Sequence, residues 1–262
     1  AKSAAGDVYI IKDDGNIYYF NRHDKEFRRL DAGTVVFENV LQIVVDSSDI
    51  LWIFSSDGSN QSYAIEKERN EIKLSPRNHF NHPEKLLWAS TENDLLYFID
   101  STYAFYEYDL NSQKKYYIVD LESEIHQRGE VSSIIKKQND YYIGFKSSGL
   151  IQLKYQPDQK IKYIIQPTDI RTGIFCLLKD KYQDIIWIGT DGQGVYMYFA
   201  DTFSIKNTLL NTPAYQINNP VRALYLDDEQ TLWIGTKGNG ILRMFNYHPE
   251  AETDISLKTE QL

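Results

Sequence analysis

The sequence predicts an all-β fold, a β-propeller of six four-stranded blades of about 45 residues each, the first lacking its inner strand. Residues 184–198, DIIWIGTDGQGVYMY, show a strand, a tight glycine turn and a second strand, and residues 231–244, TLWIGTKGNGILRM, are a close copy. Looser copies recur along the whole chain, aligned on one aromatic residue each, and successive anchors lie 43, 45, 45, 45 and 46 residues apart. The six anchors are Tyr9, Trp52, Tyr97, Tyr142, Trp187 and Trp233, and the three tryptophans are predicted to be core residues.

Each repeat divides into four predicted strands. An apolar run about a dozen residues before the anchor predicts the inner strand, the anchor lies in the second strand, and the segment after the glycine turn is the third. A more polar run then predicts an outermost strand with one face in water. The predicted inner strands are 41–45, 86–89, 131–135, 174–178 and 221–226, and the predicted outer strands include 115–119, 160–164 and 204–208. No long helix is predicted.

The two ends of the chain leave the architecture open. Residues 1–6 are too short and polar to be predicted as the inner strand of the first blade, and residues 255–262 are predicted as the outer strand of the last. The chain, 1–262, is therefore interpreted as one propeller domain, closed with an incomplete blade, or as part of a larger propeller. In the second case its open edges are expected to pair with another chain.

Composition excludes several classes of protein. The formal net charge of −9 disfavours a nucleic-acid binder, and no run of about 18 apolar residues predicts membrane contact. Cys176 is the single cysteine, so no intramolecular disulfide and no thiolate metal cage is predicted. His79 and His82 are spaced as a metal pair, but no third ligand is evident near them, and no metal site is predicted.

At two places the repeat resembles a known family. Residues 174–198 and 221–244 are similar to the two-component regulator propeller repeat, with its apolar inner strand, Asp turn, Trp-Ile-Gly-Thr segment and glycine turn. The resemblance extends less closely to 131–153 and the region of Trp52, and only weakly to 86–108 and 7–20. It implies the periplasmic sensor region of a bacterial hybrid two-component system, the extracytoplasmic part of an inner-membrane receptor that works as a dimer, responds to oligosaccharides and uses no cofactor.

Three functions stay open from the sequence. The leading hypothesis is a non-catalytic sensor domain that binds an oligosaccharide or transmits its binding. The second is a scaffold for protein interaction or dimerisation, and the third is a propeller lyase or hydrolase. Neither a nucleotide-binding loop nor a Gly-x-Ser-x-Gly elbow is present, and carboxylate spacing singles out no acid–base pair.

Two sets of loops are expected to converge around the central channel and to hold the ligand. One set joins second to third strands, and the other leads into the inner strands. Their amide, hydroxyl, basic and aromatic side chains suit a sugar ligand. The candidate contacts are Tyr103, Arg171, Thr172, Gln193, Asn218, Asn219, Arg222, Lys237 and Asn239, with Arg222 placed on an inner strand. The same loops also hold Asp13, Asp57, Asn81, Glu130 and Lys146.

Overall fold

The described part of the chain folds into six antiparallel β-sheets, one for each repeat. The computed structural model describes residues 1–3, 5–21, 25–30, 36–68, 71–77, 80, 82–199, 204–208 and 219–244. The chain divides into two compact units, unit 1 (Ala1–Glu122) and unit 2 (Ser123–Leu262). Each unit contains three of the six sheets.

Unit 1 holds the first three sheets, in which strands that follow each other in sequence pair as antiparallel neighbours. The first sheet has three strands, β1 (Val8–Ile11), β2 (Ile17–Asn21) and β3 (Glu26–Arg29). The second has four, β4 (Val40–Val45), β5 (Ile50–Ser55), β6 (Gln61–Glu68) and β7 (Glu71–Pro76). The third also has four, β8 (Leu86–Glu92), β9 (Leu95–Asp100), β10 (Ala104–Asp109) and β11 (Lys114–Asp120).

The other three sheets belong to unit 2 and follow the helix α1 (Glu122–Arg128). The fourth sheet contains β12 (Val131–Lys137), β13 (Asp140–Phe145), β14 (Leu150–Tyr155) and β15 (Tyr163–Pro167). The fifth contains β16 (Ile174–Lys179), β17 (Ile185–Thr190), β18 (Val195–Phe199) and β19 (Ser204–Thr208). The described strands of the sixth are β20 (Val221–Leu226), β21 (Leu232–Thr236) and β22 (Ile241–Met244).

The predicted all-β class, with one sheet for each repeat, is confirmed. One outer strand lies later than predicted: β15 begins at Tyr163, because Gln156 N–H donates to Lys162 C=O (2.7 Å) and closes residues 157–161 into a turn. The helix α1 was not predicted. Asp120 caps it by accepting from Glu122 N–H (2.7 Å), and Gly129, at φ 84°, ends it. Seven residues are too few to show a helical period.

The first sheet lacks an inner strand, as predicted, but residues 1–3 do pair with it. Ala1 and Tyr9 exchange two backbone hydrogen bonds of 2.7 and 2.8 Å, and Lys2 forms an antiparallel bridge with Val8. This short segment lies along β1 on the edge opposite β2. Ala1–Ser3 therefore occupy part of the inner position without forming a strand.

In three repeats, one aspartate fixes both the first turn and the anchor tryptophan. The Oδ1 atom of Asp46 accepts from Ser48 N–H and Ile50 N–H, both at 2.9 Å, while its Oδ2 accepts from the indole N–H of Trp52 at 2.7 Å. The same indole bond joins Asp180 to Trp187 (2.9 Å) and Asp227 to Trp233 (2.7 Å). Both oxygens of each carboxylate are thus used inside its own repeat.

The tyrosine anchors find other partners or none. Tyr97 donates to Glu92 at 3.2 Å, and the hydroxyl of Tyr142 hydrogen-bonds with Tyr198. The hydroxyl of Tyr9 is buried, and none of the described residues hydrogen-bonds to it. Burial raises the pKa of all three anchor hydroxyls above the usual value for tyrosine, so they stay protonated at neutral pH.

Neighbouring sheets within unit 2 pack through glycines of the second strands. A Cβ on Gly144 would lie 2.6 Å from Ile174 Cγ2, and one on Gly189 would lie 2.5 Å from Cys176 Sγ and 2.8 Å from Val221 Cγ1. Ile174 and Val221, the first residues of β16 and β20, therefore pack directly against the backbone of the preceding sheet. All five inner strands β4, β8, β12, β16 and β20 also carry a register irregularity at their first three residues.

The anchor tryptophans differ in burial. Trp52 and Trp187, at 2% and 0% exposure, lie in the core as predicted. Trp233 is only partly buried, so the prediction that it is a core residue was wrong. Among the described residues, no neighbouring sheet contacts Gly235 as Val221 contacts Gly189. The atom nearest to a Cβ at Gly235 is Ala223 Cβ, 3.4 Å away in the same sheet.

This difference predicts opposite outcomes for one substitution made at two equivalent glycines. Gly189→Ala is expected to destabilise the protein by about 1–3 kcal/mol, because its methyl group overlaps Cys176 and Val221. Gly235→Ala is expected to be neutral or stabilising by up to about 1 kcal/mol, since alanine loses less conformational freedom than glycine. Urea denaturation measures both, and equal losses at the two sites would contradict this account of sheet packing.

Removal of the turn aspartate is expected to be costly. Asp46→Ala leaves the buried Trp52 indole and two turn N–H groups without an acceptor, for an expected loss of about 2–4 kcal/mol in the free energy of unfolding. Asp228→Ala removes an exposed carboxylate paired with Lys181 and is the control, with an expected change below about 0.5 kcal/mol. Chemical denaturation would contradict the role of Asp46 if the two variants were equally stable.

Candidate functional site

The two predicted loop sets meet within each of the last five sheets. The N–H group just after the second strand donates to the carbonyl just before the inner strand. In unit 2 these bonds are Lys146 to Glu130 (2.8 Å), Asp191 to Gly173 (2.8 Å) and Lys237 to Pro220 (2.9 Å). Unit 1 has the same bonds from Ser56 to Asn39 and from Ser101 to Lys85. Backbone pairing therefore positions these loops, whatever side chains they carry.

In unit 2 the loops of neighbouring sheets are joined as well. Gly149 N–H donates to Thr172 C=O at 2.9 Å, and Ser148 Oγ donates to Arg171 C=O at 3.3 Å. Thr172 Oγ1 in turn donates to Asp191 C=O at 3.2 Å. We call the loop residues 147–149, 171–173, 191–193, 219–220 and 237–239 the unit 2 rim.

Five of the candidate contacts other than Arg171 and Thr172 can be placed in unit 2. Gln193 accepts from the Tyr196 hydroxyl at 2.8 Å, so its side-chain oxygen is already engaged. Asn219 lies against the turn of the sixth sheet, with its Nδ2 atom 3.0 Å from the position of a Cβ on Gly238. The backbone N–H of Asn239 donates to Thr236 Oγ1 at 3.0 Å, and the buried Asn239 Oδ1 has no hydrogen-bond partner among the described residues. The remaining two are Lys237, whose N–H joins the loops, and Arg222.

Arg222 and Phe175 form a mixed pair on adjacent inner strands. The guanidinium carbon of Arg222 lies 3.7 Å from the centre of the Phe175 ring, within the range of a cation–π contact. Arg222 is nonetheless exposed, and both residues are the second residue of their inner strand. An aromatic ring and five N–H donors are thus held together next to the unit 2 rim.

Two candidates lie elsewhere. Tyr103 belongs to unit 1, in the turn between β9 and β10, and has a positive φ of 64°. Asn218 falls outside the described residues, as does Asn81. Seven of the candidates therefore belong to unit 2 and Tyr103 belongs to unit 1; the seven are Arg171, Thr172, Gln193, Asn219, Arg222, Lys237 and Asn239.

His82 is a buried residue whose surroundings the sequence did not reveal. Its Nε2 atom lies 3.0 Å from Asp100 Oδ2, its Nδ1 atom lies 3.1 Å from Lys115 Nζ, and the side chains of His82 and Asp100 are each 2% exposed. A lysine ammonium group only donates, so we assign Nδ1 as the acceptor and Nε2–H as the donor to Asp100. These partners lie 18 and 33 residues away in the sequence, which is why spacing alone gave no signal.

The same aspartate holds the turn that carries Tyr103. Asp100 Oδ1 accepts from Thr102 N–H (2.9 Å), Thr102 Oγ1 (2.6 Å) and Ala104 N–H (3.2 Å). His82 therefore supports the conformation of this turn through Asp100, while Lys115, exposed on β11, contacts the other ring nitrogen of His82. His79 lies outside the described residues, and within the described ranges no group of three or more His, Cys, Asp or Glu side chains is arranged to hold a metal ion.

Part of the chain matches a known protein family. A model of the two-component regulator propeller family matches residues 215–238. This segment is thus similar to a two-component regulator propeller repeat. The predicted resemblance is thus confirmed over this part of the last repeat, which contains Asp227 and Trp233.

A relative and two solved structures extend the likeness along the chain. Histidine kinase P4 of Formosa agariphila is 26% identical over 253 residues, which cover 93% of this chain and 18% of the kinase. Two extracellular domains of putative hybrid two-component systems from B. thetaiotaomicron superimpose with TM-scores of 0.63 and 0.61. Their sequences are 20% and 18% identical to this chain. The matches cover 100% and 90% of this chain, and 32% and 31% of the two solved chains.

These neighbours support the propeller fold, and their identities are too low to carry a shared ligand. The chain spans about a third of the length of the two solved domains and less than a fifth of the kinase. Within the described ranges, no helix has the length and apolar character needed to cross a membrane.

The His82 cluster generates a testable prediction. His82→Ala leaves the buried carboxylate of Asp100 without its imidazole donor, and the expected loss in the free energy of unfolding is about 2–4 kcal/mol. His126→Ala, at an exposed position of α1, serves as the control with an expected change of about 0.5 kcal/mol or less. Thermal denaturation that ranks the two variants as equal would rule out a structural role for the cluster.

Proposed function

We propose that this chain is a non-catalytic, periplasmic sensor domain of a hybrid two-component receptor and that its unit 2 rim binds an oligosaccharide. The observation that carries the proposal is the hydrogen-bonded series of loops in unit 2, together with the Arg222–Phe175 pair beside it. The family match over residues 215–238 and the extracellular origin of the structural neighbours support a sensor in a receptor.

The chemistry of the unit 2 rim suits a sugar. Oligosaccharides present many hydroxyl groups, each a donor and an acceptor, on rings with apolar faces. The amides of Asn219 and Asn239, the ammonium of Lys237 and the guanidinium of Arg222 supply polar contacts, and the Phe175 ring offers an apolar surface. The unpartnered Oδ1 of Asn239 is an acceptor that a ligand hydroxyl would satisfy.

Signalling adds one requirement to binding. A ligand shifts a receptor between two arrangements only if it binds one of them more tightly than the other. Because Gly149 N–H of the fourth sheet donates to Thr172 C=O of the fifth, a ligand that bridges the loops of these two sheets would favour one spacing between them. We propose that this spacing, passed to the rest of the receptor dimer, is the signal.

A protein-interaction scaffold is the second candidate. The sixth sheet exposes Tyr225 (61%) and Ile241 (47%) and only partly buries Trp233, an apolar set that suits a protein partner or a second copy. The third candidate, a lyase or hydrolase, gains no support from His82 and Asp100. The side chains of His82 and Asp100 are each 2% exposed, so a substrate does not reach this buried pair.

The test is isothermal titration calorimetry of the 262-residue chain and of the full receptor against neutral and uronate-containing oligosaccharides. We expect one class of sugar to release heat with the wild-type chain. Arg222→Ala and Asn219→Ala are expected to weaken that binding at least about tenfold, equivalent to about 1.4 kcal/mol, because each removes rim donors.

Lys160→Ala is the matched control for the loss of a charged side chain. Lys160 is exposed in the turn before β15, outside the rim, and its loss is expected to leave the affinity unchanged. No heat from any sugar with the full receptor would refute the oligosaccharide proposal. A concentration-dependent dimer that is abolished by Tyr225→Ser, in the absence of sugar binding, would favour the scaffold instead.

A further inference from the structure

A pocket of about 310 Å³ lies in unit 1 between the second and third sheets. Its floor is one face of the second sheet, formed by Ile50 and Trp52 on β5 and by Ser62 and Ala64 on β6. These residues pair across the two strands, Ile50 with Ala64 and Trp52 with Ser62. The third sheet contributes Gln113, from the turn between β10 and β11. The pocket is therefore not part of the sugar site proposed for the unit 2 rim.

The second repeat leaves space here because the side chain opposite its anchor is small. Each anchor pairs with one residue of the third strand of its own sheet, and in the second sheet that residue is Ser62. In the other five sheets the corresponding residues are Tyr19, Glu107, Gln152, Met197 and Arg243, all larger than serine. Two residues further along β6, Ala64 stands where the fifth sheet has Phe199. The space that two bulky side chains would fill beside Trp52 is the pocket.

The two sheets are held apart at this pocket by Asp94, in the turn between β8 and β9. Asp94 Oδ1 accepts from Ser47 N–H of the second sheet at 2.8 Å, and Asp94 Oδ2 accepts from Asn111 Nδ2 of the third sheet at 2.9 Å. The turns that bring Ser48 and Gln113 to the pocket are thus bonded to one carboxylate. A preformed pocket of this kind requires little ordering when a ligand binds.

The floor of the pocket is apolar and partly open to solvent. Ile50 and Ala64 are only partly buried, whereas Trp52 is 2% exposed. The Trp52 ring is held in place, because its N–H donates to Asp46 and the ring lies parallel to that of Phe54, with 6.2 Å between the ring centres. A flat ligand ring over Ile50 and Ala64 would remove their exposed surface from water, which is favourable.

The mouth of the pocket is polar and carries a positive charge. Ser48, Arg77 and Gln113 line it and are exposed. The backbone of Arg77 is fixed, since its N–H donates to Ser62 C=O at 2.8 Å, while no described residue bonds to its guanidinium group. A guanidinium group presents two parallel N–H donors that match the two oxygens of a carboxylate. The Gln113 amide and the Ser48 hydroxyl add both donors and acceptors.

We propose that this pocket binds a small organic acid made of one six-membered ring and a carboxylate, with the ring on Ile50 and Ala64 and the carboxylate on Arg77. Ligand pockets measure roughly 300–1,000 Å³, so a pocket of about 310 Å³ holds a single ring and not an oligosaccharide. Aromatic acids and uronic acids share this chemistry and differ in the hydroxyl groups on the ring. The proposal does not depend on a sugar binding to the unit 2 rim.

The test is heteronuclear NMR of the ¹⁵N-labelled 262-residue chain, titrated with benzoate and with glucuronate. Benzamide and glucose are the matched neutral ligands. Binding is expected to shift the signals of the Trp52 indole N–H and the Gln113 side-chain amide. We expect a Kd on the order of 1 mM for the tighter acid and at least about tenfold weaker binding of its neutral counterpart. The acid that binds more tightly identifies the source of the ligand.

Two substitutions test the geometry of the pocket. Arg77→Gln is expected to weaken binding of the acid at least about tenfold, whereas the matched control Arg29→Gln, at an exposed position of β3, is expected to leave it unchanged. Ser62→Met introduces the residue that the fifth sheet has at this position, and it is expected to abolish binding while Tm stays the same or rises. If Ser62→Met does not fold, the comparison of Arg77→Gln with Arg29→Gln still decides the matter.

Each other outcome contradicts the proposal in its own way. Unchanged Trp52 and Gln113 signals at about 20 mM of either acid would show that the pocket is only a gap in the packing. Equal affinities for an acid and its neutral counterpart would remove the role of Arg77. Acid binding that shifts the Asn239 signals and persists in Ser62→Met would assign the acid to the unit 2 rim.

Discussion

The hydrogen bond between a turn aspartate and the indole of its anchor tryptophan is the constraint on which the second, fifth and sixth repeats depend. A buried carboxylate is costly unless both of its oxygens are satisfied, and here one oxygen holds the turn while the other holds the ring. The bond fixes the orientation of the ring relative to the strand. Trp187, held in this way by Asp180, forms part of the apolar cluster that contains Val221 of the next sheet. A local turn thereby determines how two sheets meet.

The first repeat shows what happens when this bond is absent. Ser3 stands in place of the aspartate and has one side-chain oxygen, which the Asp7 N–H already uses. Nothing described bonds to the buried hydroxyl of Tyr9, and burial raises its pKa, so it stays a neutral phenol. The inner position of this sheet holds only the short segment Ala1–Ser3, which pairs with β1.

The features that depend on periodicity could be predicted from the sequence, and those that depend on distant partners could not. The recurrence of the anchors gave six sheets, and β20 has the bounds predicted for it. Trp233 is followed by the same Ile-Gly-Thr segment as Trp187 but is only partly buried, because burial depends on what packs around the ring and not on the motif. His82 bonds to Asp100 and Lys115, which no spacing rule connects to it. For the rim, the sequence indicated loop membership, while Tyr103 proved to lie in the other unit.

The arrangement of each repeat separates stability from recognition. Asp180 and Trp187 act at the turn between β16 and β17, whereas Gly173, Asp191 and Gln193 lie at the other end of the same strands. Six residues of extended chain place the two ends about 20 Å apart. The rim is positioned by main-chain bonds, such as that of Asp191 N–H to Gly173 C=O, which constrain backbone and not side-chain identity. Side chains on the rim can therefore vary without disturbing the aspartate–tryptophan bonds at the far end, which keep the sheets in place.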